Sequence, residues 1–159
     1  MSFLLGTILL TDIQHFMFKR ISGSPKVEWY AKDASVGFTN GGLVYWNGTG
    51  EIIPADATSG QHTGVILRDV LATDADYATS LAKVPVDVPT TEDIFEVDVE
   101  TGTLTTAMVG NADDLVAGGD ALDVTATAKG VVTVVGFVSA SKALVKINSL
   151  ATHKDVATS

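Results

Sequence analysis

Residues 41–70 read GGLVYWNGTGEIIPADATSGQHTGVILRDV, and this stretch decides the fold. An apolar and aromatic run at 43–46 is followed by a turn of asparagine, glycine and threonine, and the strand resumes at 52–53. Pro54 ends that strand or marks an edge, because proline donates no ladder hydrogen bond. After a polar loop, residues 64–67 are apolar enough to be buried. The stretch predicts a hairpin and a return strand.

The composition predicts a β-rich globular protein. The chain has 159 residues, 46% of them hydrophobic, which is enough for a core. Its many valines and threonines and its 15 glycines favour strands joined by turns. There is no cysteine, which excludes disulfides and thiolate metal sites. We therefore predict a mainly β fold, with one or two small β-barrel or β-sandwich modules and an extended N-terminal arm.

Breaks in the sequence pattern predict an arm at 1–24, a first β module at 25–90, a second at 91–148 and a tail at 149–159. Residues 82–89 close the first module. They alternate at period two but contain two prolines, which favours an edge strand or an extended crossing.

In the second module, residues 94–99 alternate apolar and acidic side chains, as a half-buried strand does. Residues 104–106 continue this pattern, and 111–115 could form a single helical turn. The run VVTVVGFV at 131–138 is the most β-like in the chain, and Gly136 within it predicts a bulge. A hairpin then returns through 143–147.

The net charge of -9 is concentrated in the middle of the chain. Residues 69–123 carry thirteen acids and one lysine, a net of -12, whereas residues 1–46 carry four bases and three acids, a net of +1. This acidic middle repels phosphates, so we expect no nucleic-acid partner. We also expect no membrane partner and no signal peptide, because the apolar start MSFLLGTILL is too short to span a bilayer and lacks a basic n-region.

The apolar N-terminal residues allow two interpretations. The arm packs on its own domain, or it is exposed and becomes ordered on a neighbouring subunit, because so much apolar surface is unfavourable in water. The candidate partner-binding residues of the arm are Phe3, Leu4, Leu5, Ile8, Leu9, Leu10, Phe16 and Phe18. The proline-punctuated segment adds Val84, Pro85 and Val86.

No pattern predicts catalysis, a metal site or a cofactor. The histidines His15, His62 and His153 lie far apart without ligand spacing. The acids at 74 and 76 begin a calcium-loop spacing but lack its glycine and later glutamate. The adjacent acids at 113 and 114 point to different faces of a strand or helix, which makes them a poor proton-sharing pair. Nucleophile elbows and phosphate-binding glycine loops are also missing, so we expect no enzyme.

Several runs together resemble a known family of proteins. They are GLVYWNG at 42–48, IIPA at 52–55, TGVILRDV at 63–70 and VPV at 84–86. This pattern is similar to the small β-barrel of tailed-bacteriophage capsid decoration (cement) proteins. The runs FEVDV at 95–99, NADDL at 111–115, LDV at 122–124, VVGFV at 134–138 and VKI at 145–147 are similar to a β module of phage head proteins. Residues 1–24 match no such pattern.

The resemblance implies a structural virion protein on the outer capsid surface. It would bind the major capsid protein, commonly as a homotrimer, and reinforce the junctions between capsomers. We expect the contacts to come from residues 2–21 and 84–89. The alternative is a carbohydrate-binding or adhesin-like β module, in which Trp29, Tyr45 and Trp46 form a stacking platform.

Overall fold

A computed structural model describes residues 17–56 and 62–148. The protein is almost all β, with 44% strand and 2% helix, which confirms the predicted fold class. Its strands form two sheets, one of which closes into a five-stranded barrel. The expected tail at 149–159 and most of the expected arm, residues 1–16, lie outside the described residues.

The first sheet contains five strands in the order β2-β6-β5-β3-β4. They are β2 (Val27–Ala31), β3 (Leu43–Trp46), β4 (Ile52–Pro54), β5 (Gly64–Ile66) and β6 (Lys83–Asp87). The sheet curls so far that its two outer strands approach each other, and a parallel bridge joins Lys32, just after β2, to Ile52 in β4. The hairpin and return strand predicted from residues 41–70 are confirmed as β3, β4 and β5.

The second sheet contains six strands in the order β1-β7-β11-β10-β8-β9. They are β1 (Lys19–Ser22), β7 (Ile94–Thr101), β8 (Ala112–Leu115), β9 (Leu122–Asp123), β10 (Val132–Ser139) and β11 (Lys142–Ile147). Parallel pairing of β9 with β7 closes five of these strands into a barrel. The sixth strand, β1, pairs with the start of β7, so residues 19–22 of the expected arm belong to this sheet.

The apolar cores of the two modules are in contact. One apolar cluster fills the first sheet and contains Tyr30, Phe38, Val44, Ile52, Ile66, Val70, Val84 and Val86. The larger cluster fills the barrel, and Leu43, Ala55 and Val65 from the first sheet join it. Backbone bonding supports the same contact, since the Leu43 N–H donates to the Gly119 carbonyl at 2.9 Å. The outer face of the first sheet therefore packs against the second module.

The strand with two nearby prolines is an interior strand, which corrects the prediction of an edge. β6 pairs with β2 on one side and with β5 on the other. Pro85 is accommodated because the Pro85 carbonyl accepts a hydrogen bond from the Leu67 N–H, just beyond the end of β5. A strand residue points its N–H and C=O to the same side, so the missing N–H of Pro85 removes one bond at the last rung beside Leu67 and none of the bonds to β2.

Residues 111–115 form strand β8 instead of the expected helical turn. Asp113 pairs with Val132 of β10, and Asp114 pairs with Asp123 of β9, so both sides of the strand have partners. Tertiary pairing outweighs the weak local helix preference of this short run. Residues 104–106 do not extend β7 either, and the 3₁₀ turn η1 occupies Thr106–Met108.

The bulge predicted at Gly136 is confirmed. The pairing of β10 with β11 shifts register between Val134 and Gly136. A Cβ on Gly136 would lie 3.1 Å from a methyl group of Leu144, which explains why a glycine suits this position. The bulge lets one long strand follow the curvature of the barrel.

Candidate interaction surface

An arginine joins the two modules. Arg20 in β1 donates from Nε and Nη2 to the two carboxylate oxygens of Asp87 in β6, at 2.8 and 2.7 Å. Its Nη1 lies 2.8 Å from Oδ2 of Asp93, the residue before β7. The guanidinium carbon also lies 4.9 Å from the ring centre of Phe95. One cation, whose side chain is 12% exposed, thus holds strands of both sheets together, in the bidentate geometry that arginine provides.

The ion pairs of this junction shift the pKa values of its members. The hydrogen bond to Asp87 is the main reason that the pKa of Arg20 rises above its ordinary value, although burial works against the rise. Burial would raise the pKa of Asp93, but hydrogen bonds from Arg20 and from Thr90 outweigh that effect and lower it. Both groups are therefore held in their charged forms, and the junction depends on both charges being present.

A second cation fixes a loop of the first module. Lys32 is fully buried, and its Nζ donates to the carbonyl oxygens of Tyr77 at 2.8 Å, Thr79 at 3.2 Å and Asp33 at 3.4 Å. The Lys32 backbone also pairs with this loop, donating to the Ala82 carbonyl and accepting from the Leu81 N–H. Four of these hydrogen bonds hold residues 71–82 against the end of β2, and the fifth, to Asp33, is local.

Side-chain hydrogen bonds and an ion pair also hold the same loop. Asp76 forms an ion pair with Arg68 at 2.5 Å, and the Ser80 hydroxyl donates to Glu51 at 2.6 Å. The Asp74 carboxylate accepts the Leu71 N–H at 2.8 Å. With both acids engaged inside the chain, the partial calcium-loop spacing at 74 and 76 is a solvated turn.

This well-fastened loop presents two large apolar side chains to solvent. Leu71 is 57% exposed and Leu81 is 64% exposed. Leu81 also adopts a backbone φ of 64°, a region that disfavours any side chain other than a few small ones. The positive φ is a strained conformation for a leucine, and its exposed side chain gains little from burial within this chain.

The structure separates the partner-binding residues predicted from sequence. Phe3, Leu4, Leu5, Ile8, Leu9, Leu10 and Phe16 lie outside the described residues and stay predictions. Phe18 joins the barrel core, whereas Val84 and Val86 lie in the core of the first sheet, so these three side chains do not face a partner. Pro85 points to the other face of β6 and is half-buried. Burial overrides the prediction because β6 is an interior strand.

The three aromatic residues of the alternative prediction point to different surroundings. Trp29 is exposed on the outer face of β2. Tyr45 packs against the barrel cluster, whereas Trp46 packs against the core of the first sheet and meets Tyr30 edge to face, with ring centres 4.9 Å apart. The three rings do not share one stacking platform.

A carboxylate lies inside the barrel. Asp113 is buried, and strand alternation places it on the same face as Leu115, a member of the barrel core. Burial, followed by the nearby charges of Asp114 and Asp123, raises the pKa of Asp113. Asp114 points the other way and accepts the backbone N–H groups of Lys129 and Gly130. The two adjacent acids therefore have opposite environments, as their spacing predicts.

Within residues 17–56 and 62–148, no group of three or more histidine or acidic side chains is arranged to hold a metal ion. His62 is buried beside the first sheet, and His15 and His153 lie outside the described residues. Across the same ranges, no helix has the length and hydrophobicity needed to traverse a bilayer.

No protein-family model matches the chain, and no curated protein matches it. Sequence reasoning missed Lys32, Leu71 and Leu81. Leu81 carries a weak signal, an isolated leucine in a turn-rich polar segment, but a lysine that will be buried looks the same in sequence as one that will be exposed.

Proposed function

We propose that the protein is a structural virion protein, which binds the outer surface of an assembled phage capsid and stabilises the junctions between capsomers. Its partners are the major capsid protein and further copies of itself, as a homotrimer. The sequence resemblance to capsid decoration proteins supports this proposal, and a fold of two packed β modules is compatible with it. A shell-binding protein needs a rigid scaffold, and the two packed β modules are compatible with that requirement.

The observation that carries the proposal is the loop at 71–82. Leu71 and Leu81 project from a segment that Lys32 fixes from inside the first module. Such a loop binds without losing much conformational entropy, because its backbone is ordered before contact. We assign these two leucines to the contact with the major capsid protein. Small contacts of this kind become effective in a trimer, since avidity multiplies the affinity of each copy.

The test is co-sedimentation with assembled shells of the phage that encodes the chain. We expect the wild-type protein to saturate shells and to bind unassembled capsid protein weakly. Leu71→Ser combined with Leu81→Gly should lower the affinity for shells by at least about tenfold, the effect of losing about 1.4 kcal/mol of apolar contact. Glycine at 81 also relieves the positive φ, and a denaturation curve of the double variant shows whether it is folded where binding is measured.

The matched control replaces Val109 and Val138, which are similarly exposed but belong to the second module, with serine. This control should bind like the wild type. Absence of wild-type binding to shells would overturn the proposal. Binding to a glycan array, lost in Trp29→Ala, would favour the carbohydrate-binding alternative instead.

The structure also determines which truncation is informative. Removing residues 1–21 would delete Arg20 and most of β1, and so would damage the junction between the modules. Removal of residues 1–16 leaves Phe18, Arg20 and β1 in place. Shell occupancy of this shorter deletion therefore tests the predicted contact of the N-terminal residues without dismantling the fold.

A further inference from the structure

A row of apolar side chains crosses the outer face of the first sheet. Trp29 of β2 pairs with Pro85 of β6. On the other side of β6, Pro85 lies opposite Leu67, whose N–H donates to the Pro85 carbonyl at 3.0 Å. The register of β5 with β3 continues this row to Gly41, which has no side chain. The side chain of Met17 occupies the space that a Cβ on Gly41 would need. We call Met17, Leu67, Pro85 and Trp29 the outer row.

The outer row is exposed although its neighbours are buried. Met17 is 36% exposed, Leu67 39% and Trp29 59%. Two residues earlier on β5, Val65 faces the same side and is buried in the barrel cluster. The second module therefore covers this face of the sheet up to the outer row and then stops. Four adjacent apolar residues in water form a patch that a soluble β protein normally covers.

The chain enters this patch at one end. The Phe18 N–H donates to the Gly41 carbonyl at 2.8 Å, which places Met17 directly on the outer row. The residues before it, 1–16, include the apolar run FLL at 3–5, the run ILL at 8–10 and Phe16. This segment carries one acid, Asp12, and no lysine or arginine. An apolar segment is thus tethered to the edge of an uncovered apolar patch.

The segment is long enough to cover the whole outer row. From Gly41 to Trp29 the row crosses three interstrand spacings, which is about 14 Å. An extended chain covers that distance with about five residues, so residues 1–16 reach Trp29 with chain to spare. Tethering gives the segment an effective concentration on the order of millimolar at its own patch, far above that of a second copy in dilute solution.

We propose that residues 1–16 dock on the outer row of their own chain in the free protein, covering Trp29, Pro85 and Leu67. This docking does not rest on the capsid-binding proposal, because it concerns the protein alone in solution. It follows the first of the two interpretations of the arm, and it identifies the surface on which the arm packs.

The test uses a spin label as a quencher of tryptophan fluorescence. The chain has no cysteine, so Ile8→Cys provides a single attachment site for a nitroxide. In a Trp46→Phe background, the only tryptophan is Trp29. We expect the nitroxide to quench Trp29 emission by roughly half or more, with full recovery when ascorbate reduces the label, at concentrations where only a tethered segment is bound.

The matched control keeps Trp46 and replaces Trp29 with phenylalanine. Trp46 packs in the core of the first sheet, on the face away from the outer row, so its emission should change little. Unquenched Trp29 would overturn the proposal. Quenching that appears only as protein concentration rises would also overturn it, because the occupant would then be the segment of a second copy.

A second measurement avoids the tryptophan substitutions. Chymotrypsin cleaves after the phenylalanines and leucines of residues 1–16, and docking protects these bonds. Leu67→Asp places a charge in the outer row and should speed cleavage there by about tenfold, as expected from the loss of about 1.4 kcal/mol of docking free energy. Val138→Asp, an exposed position in the second module, should leave the cleavage rate unchanged, and equal rates in the two variants would contradict docking.

Discussion

The two modules bury similar β strands but close their sheets differently. The second module closes completely, since β9 pairs with β7 and leaves a five-stranded barrel around the larger apolar cluster. The first module closes through one bridge, between Lys32 and Ile52, and depends on the buried lysine to hold its long loop. Hydrogen-bonded closure stabilises one module, and a buried cation stabilises the other.

This difference is repeated at the surface. Among the described residues, the first module exposes Val27, Trp29, Leu67, Leu71 and Leu81, of which Trp29 and Leu67 lie in one row with Pro85, and the second exposes Ile21, Val109, Phe137 and Val138. The acids of β7 in the second module are partly neutralised, because Lys142 lies near Glu96 and Asp98. The contact surface that we propose therefore lies on the first module.

The largest expected effect comes from breaking the junction between the modules. Arg20→Met leaves Asp87 and Asp93 buried without their cation, and should lower the free energy of unfolding by about 3–5 kcal/mol. Chemical denaturation at neutral pH measures the change. The matched control is Arg68→Met, which breaks a half-exposed pair with Asp76 and should cost no more than about 1 kcal/mol. Equal losses in the two variants would mean that the junction contributes no more to stability than the pair between Arg68 and Asp76.

The next effect should be confined to the first module. Lys32→Met keeps the volume of the stem but leaves the Thr79 carbonyl without its donor and the Tyr77 carbonyl with only the Ser35 N–H, which should cost about 1–3 kcal/mol. Hydrogen exchange should accelerate at the amides of Ser35 and Leu81, which bond within this loop region, and not in the barrel. Lys26→Met, which removes an exposed pair with Glu28, should change neither quantity; a matching response would contradict the anchoring role of Lys32.

A pH-dependent effect should be confined to the barrel. Because burial raises the pKa of Asp113 above 3.8, the folded state favours its protonated form. The resulting loss of stability is absent below the ordinary pKa, grows as pH rises and is complete above the raised pKa. Asp113→Asn should therefore stabilise the protein by about 1 kcal/mol at pH 7 and by almost nothing near pH 4.

The neighbouring acid provides the control for this experiment. Asp114 accepts two backbone N–H groups, so Asp114→Asn should destabilise the protein under the same conditions. Urea denaturation of both variants between pH 4 and pH 7 measures the two signs. Stabilisation by Asp113→Asn that does not vary with pH would show that ionisation of Asp113 is not its cause.

The smallest effect tests the strained leucine of the loop. Leu81→Gly relieves a positive φ and removes little buried surface, so it should raise the free energy of unfolding by about 0.5 kcal/mol. Leu71→Gly changes a similarly exposed leucine that is not in the left-handed region, and should lower the free energy of unfolding by a similar amount. Thermal unfolding compares the two. If both variants are destabilised, the conformation at Leu81 stores no strain.

Most strands could be predicted from local sequence. The pattern at 41–70 predicts β3, β4 and β5, and the alternation at 94–99 predicts β7. Gly136 predicts the bulge in β10, because a glycine inside a strongly apolar strand often marks a bulge or a close approach of another chain segment. These features depend on periodicity and turn chemistry, which are properties of neighbouring residues.

The partners of each strand could not be predicted in this way. The prolines at 85 and 89 suggest an edge, yet β6 has neighbours on both sides, and the missing N–H of Pro85 removes only one bond, at the last rung beside β5. The run at 111–115 suggests a helical turn, yet two strands capture it as β8. Because β6 was expected at an edge, Val84 and Val86 were predicted to face a partner, although both are buried.

By itself, the sequence determined the β class, the positions of the main strands, the absence of cysteine chemistry and the apolar character of residues 3–10. Only the tertiary structure decided that Arg20 meets Asp87, 67 residues away, that Lys32 is buried, and that Leu67, Pro85 and Trp29 form one row. The physical reason is that strand alternation is encoded within a few residues. Burial and register instead depend on which distant strand supplies the complementary hydrogen bonds and charges.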